Sequence, residues 1–181
     1  TKGKNTDEDT LVRLGTALVT PFTETGDLDE AAIRRLAKRQ IDGGVHFLVP
    51  CGTTGESPTL SHTEKLRVVE LVAAEAAGKI PVLGGAGGNN TTAVATLAKE
   101  MVRAGADGIL SVTPYYNKPS PEGLYRHFCT VADSVDCSIV VYNVPGRTGT
   151  NITPEVLTRL ASVPNIVGVK EASGDFEQMC Q

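Results

Sequence analysis

DGILSVTPYYNKPSPEGLYRHFCTVADSVDCSIVVYNVPGRTG, residues 107–149, holds two β-branched runs, two polar loops and one amphipathic stretch in a fixed order. The runs 107–112 and 138–143 have the length and composition of buried strands. Between them Ser120-Pro121-Glu122 opens a helix with Pro in its first turn, and Leu124, Phe128, Val131 and Val135 follow at helical spacing. TPYYNKP and YNVPGRTG each begin where a strand ends. A strand–helix–strand order of this kind predicts parallel strands joined by a right-handed crossover.

The same unit repeats on both sides. Upstream, LGTALVTPF (14–22), HFLVPC (46–51) and KIPVLGG (79–85) read as strands. Asp27 with Glu30 and Ser61 with Glu64 read as capping boxes for the helices that follow the first two. Leu28, Ile33, Leu36, Ala37 and Ile41 supply the stripe of the first helix, which Gly43-Gly44 stops. Val94, Leu97, Ala98, Met101 and Val102 mark a third helix, closed by Gly105. Downstream, Thr153-Pro154-Glu155 opens a fifth helix and NIVGVK (165–170) is a sixth strand. Strict alternation fits either an open doubly wound sheet or a (β/α)8 barrel. Polar motifs sit at the carboxyl end of nearly every strand, where an open sheet would gather them at one switch point. The expected fold is therefore α/β, a (β/α)8 TIM barrel that stops after strand six.

Composition bounds the function. The 181 residues are 40% hydrophobic and 21% charged, the profile of a globular domain. A net charge of -4 and the absence of a basic run argue against nucleic acid and anionic membrane as partners. No apolar stretch reaches membrane-spanning length. The polar opening lacks a signal-peptide core, so residues 1–13 read as a flexible leader and 14–181 as an incomplete barrel domain of about six β/α units. Cys51, Cys129, Cys137 and Cys180 lack CxxC spacing, and His46, His62 and His127 stand apart. Reduced thiols in a cytoplasmic protein without a metal are expected.

Several residues carry candidate chemistry, each with a plainer alternative. Lys170 ends an apolar run. Burial there would strip its hydration and favour a neutral, nucleophilic amine; a strand-end lysine more often snorkels to solvent. Gly168 shares its face at period two and leaves room for a small ligand. Tyr142 could serve as acid and base beside that amine, or be a half-buried tyrosine with its hydroxyl satisfied. Arg147 has the fork to bind a carboxylate, or is a surface arginine. Thr53, Thr54 and Gly55 form a turn whose hydroxyls and amides could hold a carboxylate, or one chosen for turn propensity. Tyr115-Tyr116 is unusual in a chain with 4% aromatics and points to an interface or a site, or to a loop clamp. GGAGGNN lacks the nucleotide-binding glycine patterns.

Taken together, GTTGES, TPYYNKP, YNVPGRTG and VGVKEASGD resemble the dihydrodipicolinate synthase family in order, spacing and strand context, from about residue 14 onward. The resemblance implies a pyruvate-dependent class I aldolase. Lys170 would form the Schiff base and Tyr142 would transfer protons. Thr53 and Tyr116 would complete a hydroxyl relay. Thr54, with Gly55, would bind the pyruvate carboxylate, and Arg147 that of aspartate semialdehyde. The protonated imine is its own electron sink, so no cofactor is implied. The relay tyrosine typically enters from a neighbouring subunit, which implies a homodimer or homotetramer.

Ser57, His62, Asn89 and Tyr115 match positions of a lysine effector site, although Ala93 stands where inhibited members carry a glutamate. N-acetylneuraminate lyase and the keto-deoxy sugar acid aldolases share the barrel and the lysine; Arg147 and GTT favour the synthase. Relatives in that family are longer, with eight strands. A fragment, or a non-catalytic binding or assembly protein of the same fold, is the alternative expectation.

Overall fold

A computed structural model describes residues 14–181; the leader expected over 1–13 lies outside the described residues. The chain folds into two compact units. One comprises the described residues through Gly85 together with Met101–Gly108, and the other Ala86–Glu100 with Ile109–Gln181.

In the first unit, β1 (Gly15–Ala17) pairs in parallel with β2 (Phe47–Val49). Leu48 bridges in parallel to Val82, just before β3 (Leu83–Gly85). The three strands expected in this unit are present but shorter than their apolar runs, because flanking residues turn into the loops. Helix α1 (Glu30–Asp42) buries Ile33 and Ala37. Its cap is Asp29, which accepts from the Ala32 N–H at 2.8 Å, and not the expected Asp27. Asp27 is instead held in a tight turn, accepting from the Thr25 hydroxyl at 2.9 Å. The expected partner Glu30 is drawn off by Arg67, whose guanidinium donates to both its oxygens at 2.7 Å. The box on α2 (His62–Ala76) forms as expected: Glu64 N–H donates to Ser61 Oγ at 3.3 Å, and Ser61 N–H to Glu64 Oε2 at 2.7 Å. Gly85 packs so closely on the Cys51 carbonyl that a Cβ there would strike backbone.

Helix α3 (Thr91–Arg103) carries buried Val94, Leu97 and Ala98 on its second-unit part and Met101 on its first-unit part. The second unit contains, from Ile109 onward, strand β4 (Gly108–Val112), with β5 (Ser138–Asn143) and β6 (Ile166–Glu171) following in that spatial order. Helix α4 (Pro121–Ala132) starts at Ser120, whose hydroxyl accepts from Gly123 N–H at 3.2 Å. Its stripe buries Leu124, Phe128 and Val131, as the spacing predicts. A single helical turn, α5 (Pro145–Thr148), and a last short helix, α7 (Phe176–Cys180), flank α6 (Pro154–Leu160). Among the described residues β6 pairs with β5, and its Val167 and Val169 are 42% and 43% exposed. Among the described residues, no helix is long and apolar enough to cross a membrane.

Two buried groups have strongly displaced proton affinities. Burial pushes the Cys51 thiol up to about 12, which leaves it unreactive at neutral pH. His127 lies buried on α4 beside Phe128, its Nδ1 2.9 Å from Thr91 Oγ1, and burial lowers its pKa to about 4.

The native state therefore binds the His127 proton less tightly than the unfolded chain. Stability is fully present above pH 6.5 and declines as pH falls toward 4. The drop attributable to His127 should reach about 3 kcal/mol, at 1.36 kcal/mol per pKa unit. Urea unfolding at pH 7 and pH 4 should show that share missing in His127→Gln. A variant with the parent's full pH dependence would refute it.

Candidate active site

The second unit brings Lys170 and Tyr142 together, and one backbone irregularity decides that they meet. Strands β5 and β6 are parallel, with Ile139 opposite Ile166 but Val140 opposite Gly168. Val167 is therefore an inserted bulge residue. Beyond it the register runs Val141–Val169, Tyr142–Lys170 and Asn143–Glu171. Paired residues in a parallel sheet share a face, so the lysine amine lies over the tyrosine ring, with Nζ 4.3 Å from the ring centroid. That is cation–π distance. Tyr142 is buried at 6% exposure, fixed by the sheet beneath it. Lys170 itself is exposed, the solvent-facing one of the two placements its strand-end position allows. A Cβ on Gly168 would meet nothing within 4 Å, so the expected open space beside the lysine is present.

Arg147 sits on α5 and is exposed. Its loop is held to the TPYY loop by threonines. Thr150 is buried, and its hydroxyl donates to the Pro114 carbonyl at 3.1 Å. Thr148 Oγ1 donates to the Thr150 carbonyl at 3.0 Å, and Tyr116 N–H donates to the Thr148 carbonyl at 3.4 Å. Tyr116 is held at φ 76° with 89% of its side chain exposed. A tyrosine in the left-handed region costs backbone energy that the surrounding bonds must offset. Tyr115 is half-buried beside it, and Asn117 donates to the Asn89 carbonyl at 3.2 Å, tying two of the expected effector positions into one loop cluster.

The first unit carries the other candidates. Thr53 and Thr54 are exposed on a 3-10 turn, Thr53–Gly55. Gly55 N–H donates to the Gly52 carbonyl at 3.0 Å, so that amide is engaged within the turn. Gly55 is buried, and a Cβ there would stand 3.0 Å from the Leu18 carbonyl. Glu56 follows at φ 54°, ahead of half-buried Ser57 and exposed His62.

The sequence reading missed a polar network next to Tyr142 and Lys170. Asn143 is fully buried. Its amide donates to Asn151 Oδ1 at 2.8 Å and to Glu171 Oε2 at 2.9 Å, and its Oδ1 accepts from Ile152 N–H at 3.0 Å. Glu171 also accepts from Ser173 N–H at 2.6 Å and from Gln178 Nε2 at 3.3 Å. Burial pushes the Glu171 carboxyl up, but the bonds donated by Asn143, Ser173 and Gln178 outweigh it and hold the group below the usual range. The available signal was an amide and a carboxylate immediately following the tyrosine and the lysine.

Residues 10–181 match the Dihydrodipicolinate synthetase family. A 4-hydroxy-tetrahydrodipicolinate synthase from Porphyromonas gingivalis is 49% identical over 174 residues, covering 96% of this chain and 59% of the relative. The structure of the chloride inhibited dihydrodipicolinate synthase from Acinetobacter baumannii, complexed with pyruvate, superposes with TM-score 0.89 at 41% identity. It covers 91% of this chain, which covers 57% of it. The enzyme from Cyanidioschyzon merolae with lysine bound gives TM-score 0.89 at 43% identity, with 92% and 57% covered. The chain thus spans less than two thirds of the length of these relatives. Its fold is α/β of the TIM-barrel type, short of the full (β/α)8 set.

Thr150→Val removes the donor to Pro114 while keeping the shape. Leaving that carbonyl unpaired should lower stability by about 1–3 kcal/mol. Limited proteolysis at Tyr115-Tyr116 should accelerate; a parent-like cleavage rate would show that Thr150 does not hold the loop.

Proposed function

Because the chain belongs to the dihydrodipicolinate synthetase family, we propose that it serves the condensation of pyruvate with aspartate 4-semialdehyde through a Schiff base on Lys170. The observation that carries this reading is the amine of Lys170 lying 4.3 Å from the Tyr142 ring centroid, at adjoining strand ends. The amine adds to the pyruvate ketone, giving a carbinolamine. Tyr142 protonates the departing oxygen, and water leaves as the imine forms. Loss of a methyl proton gives an enamine, whose carbon attacks the aldehyde of the second substrate. The amino group of that substrate then displaces the lysine and closes the ring, which regenerates Lys170. The product is 4-hydroxy-tetrahydrodipicolinate, on the route to lysine and diaminopimelate.

The remaining assignments are those the family resemblance implies. Thr53 and Tyr116 supply hydroxyls that relay protons to and from Tyr142. Thr54 holds the pyruvate carboxylate, on the turn that Gly55 closes. The Arg147 fork takes the carboxylate of the semialdehyde, which distinguishes it from uncharged aldehydes. The exposure of Tyr116, at 89%, supports its use at a subunit interface in a homodimer or homotetramer. Ser57, His62, Asn89 and Tyr115 are the positions at which lysine would act as effector. The reading is of a cytoplasmic enzyme.

Borohydride reduction with pyruvate, followed by intact mass, tests the central step on this chain and on a version extended to the relatives' length. The extended protein should gain one pyruvate adduct, and Lys170→Ala should gain none. An undiminished adduct in Lys170→Ala would falsify the assignment. Tyr142→Phe keeps the packed ring and should slow turnover by roughly 10²–10⁴-fold, the range of general acid–base catalysis. Arg147→Ala should weaken semialdehyde use by about tenfold or more, because a charge-assisted contact is worth roughly 1.5–3 kcal/mol. Pyruvate trapping should stay near the parent rate in that variant; equal loss in both steps would make the arginine structural.

A further inference from the structure

We propose that Asn143 and Glu171 are positioning residues that lock the register of β5 against β6 and thereby keep Lys170 on Tyr142. The inference deepens the Schiff-base reading and rests on it for its functional consequence.

The strand pair adopts one of two conceivable registers. Continuing the Ile139–Ile166 pairing without the bulge at Val167 would set Val169 opposite Tyr142 and Lys170 opposite Asn143. A one-residue slip also turns each side chain to the other face. Groups that cannot tolerate the wrong partner decide between the two registers.

Asn143 is such a group. It is fully buried, and every part of its amide is engaged: Oδ1 by Ile152 N–H, Nδ2 by Asn151 and Glu171. A lysine has three donors and no acceptor. Lys170 opposite Asn143 would leave one buried amide hydrogen without a partner and set an ammonium against it. Glu171 supplies the acceptor the position requires, and Ser173 N–H and Gln178 Nε2 hold its carboxylate in place. Asn151 extends the same bonds to the far end of the Arg147 loop. One network thus fixes the neighbours of both Tyr142 and Lys170 while touching neither reacting group.

The test reads the register directly in the isotope-labelled 181-residue chain. The parent should show nuclear Overhauser contacts between the Lys170 ε-methylene and the Tyr142 ring. Glu171→Ala should lose them and gain contacts from the Val169 methyls to that ring. Glu171→Gln, which keeps an acceptor oxygen, should retain the parent pattern. Asn143→Asp sets two carboxylates together and should weaken the contact; adding Glu171→Gln restores a donor–acceptor pair and should recover it. That pair decides the matter if Glu171→Ala does not fold. Pyruvate trapping in the extended protein should fall by about 10²-fold in Glu171→Ala, the scale of a 1 Å misplacement, and stay near parent in Glu171→Gln. Persistence of the Lys170–Tyr142 contact in folded Glu171→Ala, or in Asn143→Asp at full strength, would overturn the lock, as would trapping by Glu171→Ala at the parent rate. If the parent forms no adduct at all, the Schiff-base reading fails, and the Overhauser contacts still judge the lock.

Discussion

In a parallel strand pair each side chain has one direct neighbour on its own face, and between β5 and β6 a single inserted residue chooses it. Val167 takes up one position without a partner, and everything beyond it on β6 is displaced by one. The displacement gives Lys170 to Tyr142 and Glu171 to Asn143. It also sets where the chain leaves the strand, because Ala172 N–H donates to the Asn143 carbonyl at 2.8 Å before the loop begins. Bulges beside functional groups commonly re-aim a side chain in this way. Here the re-aimed side chain is the Lys170 amine, set over the Tyr142 ring.

Polar bonds at the strand ends complete what the bulge begins. Thr150 joins the YNVPGRTG loop to Pro114, and Thr148 supports both Thr150 and the Tyr116 amide. Asn143 closes the same loop from its other side through Asn151 and Ile152. The loop carrying Arg147 is therefore tied down at both ends, although Arg147 itself reaches into solvent. Beneath lies an apolar base of Ile109, Ile139 and Val141, each buried. A rigid sheet with polar loops stapled above it can hold a strained residue such as Tyr116 at positive φ without collapsing to a relaxed turn.

Much of this was legible in the residues themselves. The run 138–143 is β5 residue for residue, and Ser61 with Glu64 forms its box, because both signals are local and uncontested. Asp27 with Glu30 has the same local signal and fails. Arg67, distant in sequence, takes the carboxylate, and Asp29 stands two residues closer to the helix. Lys170 shows the other limit. Its apolar run marks a strand correctly but leaves open whether the lysine is buried or turned to solvent, and here it is exposed. The Tyr142–Lys170 contact was reached through motif resemblance; their pairing depends on a bulge that no single strand pattern reveals.

The alternation of a β-strand explains why the informative residues come as adjacent pairs. Tyr142 and Asn143 face opposite ways, as do Lys170 and Glu171. On one face the pair Tyr142–Lys170 presents a phenol and an amine to open space beside Gly168. On the other, Asn143–Glu171 satisfies buried hydrogen bonds that admit no substitute of the wrong polarity. The two demands are met by neighbouring residues because strand geometry couples them: moving either face by one position moves both. A polar contact with strict donor and acceptor requirements is thus able to fix the side chain next to it on the opposite face.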